Sequence, residues 1–217
     1  MGNINWLEIL NATLDTLQMT GFSVLFSYAV GLPLGVVLVT TQKGGILQNK
    51  VLNGIVGTIV NILRSIPFVI LIIVLIPFTR LVVGTSLGTA ATIVPLTVGS
   101  IPIVARMVEA SLKEVDPGIV EAARSMGASK FQIIRLFLLP EALPSLLLGL
   151  AINTATIIGY SAMAGIIGGG GLGTIALNYG YYRYKTDILL ITVILLVVLI
   201  QLTQEIGIRV STRIRHT

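Results

Sequence analysis

Apolar residues run almost unbroken through five stretches, at residues 19–41, 53–78, 88–112, 138–162 and 187–208. Each is long enough to cross a bilayer as a helix, for which about 20 mostly apolar residues suffice. Runs such as 66–78 and 188–200 show no strand alternation, which argues against a transmembrane barrel. The pattern predicts an all-α integral membrane protein with five transmembrane helices and a single domain over residues 1–217.

Between the third and fourth stretches lies a polar island, residues 113–137, with its own local chemistry. Asp116-Pro117 reads as a side-chain cap followed by a proline whose missing N–H is harmless in a first helical turn. Ile119, Ala122, Ala123 and Met126 fall on one face at helical spacing. Gly127 suits the left-handed backbone that ends a helix. Ser129 and Gln132 predict a capping box starting a second helix, residues 130–139. Two short helices meeting at a glycine elbow make a knob that fits a partner's cleft, rather than a solvated linker.

Composition reinforces the membrane assignment. Of 217 residues, 54% are hydrophobic and only 11% charged, against about 25% charged in a soluble domain; the mean hydropathy is +0.97. The net charge of +5 does not point to nucleic acid, because it is distributed as membrane orientation requires. Lys43, Lys50, Lys113, Arg124, Lys130, Arg135, Arg209, Arg213 and Arg215 fall on one side, against Arg80, Arg183 and Lys185 on the other. The positive-inside rule then puts the amino terminus outside, with the island and the carboxyl terminus in the cytoplasm. There is no cysteine, so no disulfide framework or thiolate site. The first fifteen residues contain Trp6, Glu8 and Asp15 but no Lys or Arg. They lack the basic start of a cleavable signal, and the first span is expected to serve as the insertion signal.

The spans are not plain anchors. Pro33, Pro67, Pro77, Pro95, Pro102 and Pro144 each free a backbone carbonyl, which is tolerated where neighbouring helices or a polar cavity satisfy it. Gly31 and Gly35 form a small-residue pair, and Gly54 and Gly57 also permit close contact, either within one chain or between two copies. Arg64 and Arg106 sit inside spans and either snorkel or serve a function; Arg106 and Glu109 are spaced to pair. His216 has no companion for metal or acid–base work and is expected to be solvent-exposed.

In the fourth span, Asn153, Thr156, Tyr160 and Met163 recur at spacings of three, four and three, with Ser161 beside them. The stripe either borders a narrow passage with Met163 as a deformable plug or bonds between helices. Gly168-Gly169-Gly170-Gly171-Leu172-Gly173 is no phosphate cradle, since no Gly-Lys-Ser/Thr follows; a flexible outer gate or mobile re-entrant loop is expected. Residues 178–184, rich in tyrosine, read as an aromatic belt at the outer interface.

Glu121-Ala122-Ala123, then Gly127, then Leu139-Pro140 resembles the signature loop of permease subunits of ATP-binding-cassette importers. The blocks 61–68, 76–80, 93–99, 105–109, 159–163 and 179–181 are similar to methionine-uptake permeases in particular. The resemblance implies a type-1 importer permease fold, with its core at about 13–208 and a cytoplasmic coupling-helix loop at 113–137. Glu121, Ala122, Ala123, Arg124, Met126, Gly127 and Ala128 would couple to the ATPase. It further implies a homodimer in a bacterial cytoplasmic membrane, bound to two ATPase subunits and fed by an extracytoplasmic substrate-binding lipoprotein. No cofactor is expected on this chain, and ATP with magnesium belongs to the ATPase. Methionine is the implied cargo, another amino acid or a small peptide the alternative. An intramembrane enzyme would need a nucleophile and base at membrane depth, where only Glu109 and Glu141 lie near. An ion-driven transporter would show internal repeats and buried acids, which are not found.

Overall fold

The computed structural model describes residues 6–215, and among these it is helical with no strand. His216 lies outside the described residues. The helices are α1 (Trp6–Thr41), α2 (Lys50–Ser65), α3 (Phe68–Val74), α4 (Ile76–Val83), α5 (Thr89–Lys113) and α6 (Pro117–Ser125). Then come α7 (Lys130–Gln132), α8 (Leu139–Glu141), α9 (Leu143–Ala164), α10 (Gly171–Ile175) and α11 (Thr186–Arg215). Among the described residues, four helices are long and apolar enough to cross a membrane, and five spans result if the bent pair α2–α3 counts as one.

Two expectations need correction. The first span begins at Trp6 rather than residue 19, so α1, at about 1.5 Å per residue, is some 54 Å long and outreaches a hydrocarbon core of about 30 Å. The second span is not one rod over 53–78: α2 and α3 meet at 102°. Ile66 is extended (φ −81°, ψ 122°), as a residue before proline prefers, and Pro67 starts α3. Hydropathy is continuous across this break and cannot register it. Of the six prolines, only Pro33, Pro95 and Pro102 lie inside helices; Pro67, Pro77 and Pro144 stand at helix starts, where little is lost.

Lipid is as apolar as leucine, so close packing and polar bonds must hold the helices together. The central pair is α1 on α5. A Cβ at Gly35 would stand 2.6 Å from the Val108 Cβ and 2.7 Å from the Ala105 carbonyl oxygen; Gly31 meets Val104 in the same way. The glycine pair therefore packs within one chain, and the two helices run parallel. α9 lies antiparallel to α5, with the Ser145 hydroxyl donating to that of Ser111 at 3.0 Å and Gly149 beside Met107. α11 covers α9, where the Ser211 hydroxyl donates to the Pro144 carbonyl at 2.7 Å. Met19, Leu96 and Ile157 are fully buried between α1, α5 and α9, together with Phe68 and Leu71 of α3.

α2 is attached by a thin seam. Only Val60 is buried along it, packed with Leu38 and Ala105. The Asn53 amide donates to the Leu38 carbonyl at 2.7 Å and to the Thr41 hydroxyl at 3.0 Å. From α5, the Arg106 Nη2 donates to the Gly57 carbonyl at 3.2 Å and the Asn61 Oδ1 at 2.6 Å, while Nη1 pairs with Glu109 at 2.5 Å. Arg106 thus pairs with Glu109 as expected, and it bonds sideways to a neighbouring helix instead of snorkelling.

Gly35→Val is expected to destabilise the bundle by about 1–3 kcal/mol through overpacking. Gly54→Ala, where a Cβ meets nothing within 4 Å, should leave stability unchanged or raised. Thermal unfolding of the two variants in detergent measures the difference.

Candidate functional site

The elbow between α5 and α9 is built from side chains that answer local backbone needs. Asp116 accepts from the Gly118 N–H at 2.7 Å and Pro117 fills the first turn of α6. At the far end Gly127 has φ 78°. The Ala128 N–H reaches the Ala123 carbonyl at 3.1 Å and the Gly127 N–H the Arg124 carbonyl at 2.9 Å, the two bonds of a glycine-terminated helix. The Ser129 N–H donates to Gln132 Oε1 at 2.8 Å and the Gln132 N–H to Ser129 Oγ. The predicted capping box is present.

The buried line of α6 differs from the expected one. It contains Ala123, fully buried, and Val120, packed on the Val108–Leu112–Leu138 cluster, with Ile119 half-buried. Ala122 and Met126 point outward with Glu121, Arg124 and Gly127; Ala128 is half-buried. Ala123 therefore fastens the elbow to the bundle, and the other six form its outer surface. Met126 is 69% and Phe131 68% exposed, an apolar tip amid charge. The second helix is also not regular over 130–139: one α turn passes into a π segment over Ile133–Leu138. That segment ends beside Pro140, which cannot donate to the Leu136 carbonyl.

The stripe on α9 does not stay on one surface. Asn153 is fully buried, and neither amide atom has a protein partner. Ser161 is buried, its hydroxyl donating to the Ile158 carbonyl, and the Thr156 hydroxyl donates to the Ile152 carbonyl. These bonds stay within α9. Tyr160 stacks on Phe68, ring centroids 4.3 Å apart and planes 4° apart, and Met163 is exposed. The Phe68 stack was invisible to helical periodicity, because α3 reaches α9 only through the bend at Pro67. Beside it a crevice of about 20 Å³, lined by Leu63, Arg64, Gly99 and Ile103, is too small for an amino acid.

The glycine run is not a flexible loop. The Thr92 hydroxyl donates to the Gly169 carbonyl at 2.9 Å, the Leu172 N–H to the Thr16 hydroxyl at 2.9 Å, and the Gly88 N–H to the Gly168 carbonyl at 3.0 Å. A Cβ at Gly171 would come within 2.6 Å of Met19 and Thr16. The glycines bring α10 against α1 and α5 in a bonded knot; Thr16 of α1 and Thr92 of α5, polar positions in apolar helices, were the available signal. Beyond the knot, Glu8 bonds the Tyr179 hydroxyl and pushes its pKa up, Arg183 lies 4.6 Å over the Tyr179 ring, and Tyr181, Tyr182 and Tyr184 are exposed.

Comparison with known proteins gives a consistent picture. The profile of the family described as "binding-protein-dependent transport system inner membrane component" matches residues 31–215. The chain is 51% identical to the probable D-methionine transport system permease protein MetI of Vibrio cholerae, covering 96% of this chain and 92% of that one. It is 44% identical to the methionine import system permease protein MetP of Bacillus subtilis, covering 94% and 92%. Among solved structures, a chain of the MetNI methionine ABC transporter in inward-facing conformations superposes with a TM-score of 0.96 at 47% identity, covering 99% of both. An amino acid ABC transporter crystallised with histidines shares the fold alone, with a TM-score of 0.77 at 21% identity over 94% of this chain and 93% of that one.

Gly127→Val should strain the elbow by about 1–3 kcal/mol, the cost of a left-handed residue with a branched side chain. Ser129→Ala should remove about 1 kcal/mol of capping. Both are expected to speed amide exchange at Ala128 and Gln132 while leaving α5 and α9 protected, as read by hydrogen-exchange mass spectrometry.

Proposed function

The chain belongs to the family of binding-protein-dependent transport system inner membrane components and is the permease subunit of an ATP-driven importer; we propose that its cargo is methionine and that two copies form the path. The observation that carries this reading is the elbow. In a chain otherwise made of apolar helices, it is a rigid, doubly capped knob with an exposed apolar tip, built to seat in a partner rather than to connect spans. Hydrolysis belongs to a separate ATPase subunit, which holds ATP and magnesium. Glu121, Ala122, Arg124, Met126, Gly127 and Ala128 face that subunit, with Ala123 holding their helix to the bundle.

Transport proceeds by alternating access. Closure of two ATPase subunits around nucleotide draws the elbows together and opens the membrane path toward a loaded extracytoplasmic binding protein; hydrolysis returns it inward. Capture and selection are supplied by that binding protein, so the path needs no deep pocket. Tyr160 and Met163 of α9 are the side chains best placed to border it, with Phe68 of α3 backing Tyr160 from the core, whereas Asn153 and Ser161 are sealed in the helix contacts. The distribution of Lys and Arg supports a place in the bacterial cytoplasmic membrane with the elbow and the end of α11 in the cytoplasm.

Ser129→Cys should react with an impermeant thiol reagent only after the cytoplasmic face is opened, and Thr85→Cys in intact cells; the native chain has no cysteine to interfere. Labelling of Ser129→Cys in intact cells would reverse the orientation and remove the docking model. In proteoliposomes with its ATPase and binding protein, the chain should drive uptake of labelled methionine at least about tenfold above other amino acids. Glu121→Arg, which puts a second positive charge beside Arg124, should lower ATPase co-purification by about tenfold (roughly 1.4 kcal/mol).

A further inference from the structure

On the reading that this chain is driven by an ATPase, we propose that Arg106 is a positioning residue, a strut that carries displacement of the elbow through α5 into α2. α5 ends at Lys113, three residues before the Asp116 cap of α6. Arg106, Glu109 and Lys113 stand at spacings of three and four on one face. Glu109 bonds Arg106 through one carboxylate oxygen and Lys113, at 2.7 Å, through the other. This ladder rises about 10 Å from the elbow end of α5. At its upper end the guanidinium turns sideways and grips α2 at two points one helical turn apart, the Gly57 carbonyl and the Asn61 amide oxygen.

The grip matters because α2 has little else to hold it. Its remaining ties are the buried Val60 with the half-buried Val56 beside it, and the Asn53 bonds at the end of α1. Through the bend at Pro67, α2 continues into α3, whose Phe68 stacks on Tyr160. Phe68 also lies directly against α5 at Gly99, and Arg106 adds to that contact a second path, through α2, from α5 to the Phe68–Tyr160 pair. Stability alone does not call for an arginine here, since a half-buried ion pair of this kind, its side chains 26% and 12% exposed, adds little net stability. Joining two helices at two acceptors while keeping an ion pair does call for one, because only the planar guanidinium presents five donors in a fixed fork. The Nε of Arg106 is buried without a partner, so the fork has a donor free for a second arrangement of α2, as expected of an element that shifts between two packings.

The test compares Arg106→Gln, Asn61→Ala and the double variant with the native chain, each assembled with its ATPase and binding protein in proteoliposomes. Each single variant should assemble and hydrolyse ATP but raise the ATP consumed per cargo molecule about tenfold, and the double variant should be no worse than Arg106→Gln. A ratio within twofold of native in both single variants, effects that multiply, or equal falls in transport and hydrolysis would overturn the coupling role. If Arg106→Gln fails to assemble, Asn61→Ala, which leaves the Glu109 pair intact, decides alone by the same ratio. In the purified chain without any ATPase, Asn61→Ala should speed amide exchange in α2 several-fold while α6 is unchanged. That arm stands apart from the importer reading, and unchanged exchange in α2 would remove the strut itself.

Discussion

The close approach of α1 and α5 at Gly31 and Gly35 is the contact on which the remaining architecture depends. In a bilayer there is no gain from hiding leucine from lipid, so helices associate where their backbones can come near and their surfaces interlock. Two missing side chains let Val104 and Val108 settle into α1. α9 then packs across both helices, α11 covers α9, and the α10 knot closes over the end of the group. α2 is the exception. It hangs from this group by a few bonds, whereas α3 buries Phe68 and Leu71 in it; the two helices present Val51, Ile55, Ile59, Ile62, Ile70 and Ile73 outward, a surface suited to a second copy or to lipid.

Bonded polar groups inside the bundle divide into two kinds, with Asn153 and a few hydroxyls left without a partner. The hydroxyls of Thr13, Thr40, Thr154, Thr192 and Thr203 donate to the carbonyl four residues earlier and so satisfy themselves within one helix. These residues are structurally quiet. Others reach between elements: Thr92 and Thr16 at the α10 knot, Asn53 and Arg106 on the α2 seam, Ser145 and Ser211 at the elbow end. Because an unmade bond costs more in hydrocarbon than in water, these few cross-helix bonds fix register more firmly than the surrounding leucines and isoleucines.

What could be read from the sequence follows this division. The elbow was legible almost residue by residue because Asp116, Pro117, Gly127, Ser129 and Gln132 each act on their own backbone, and local chemistry is written locally. Its orientation was less so: Ala123 and Ala122 are indistinguishable until the bundle supplies one side to bury. Span count and the Arg106–Glu109 pair were legible because length and spacing decide them. The bend at Pro67, the partners of Arg106 on α2 and the Phe68–Tyr160 stack depend on which helix lies beside which. The glycine run misled for a related reason. Glycine marks both mobility and close approach, and only Thr16, Met19 and Thr92 on distant helices decide between them.

The bond between the Leu172 N–H and Thr16, 156 positions apart in the chain, bears on how the molecule is made. α1 and α5 acquire their full contact once the ribosome has passed Lys113, but the first turns of α1, where Ile9 and Ala12 pack on Leu172, Ile175 and Ile188, complete their packing only when residue 188 has been synthesised. At about 5–20 residues per second, the roughly 75 residues between these points take about 4–15 s. For that interval the first turns of α1 wait for the rest of the segment that covers Ile9 and Ala12 and bonds Thr16. Those turns are thus locked in place late, by a segment translated well after them.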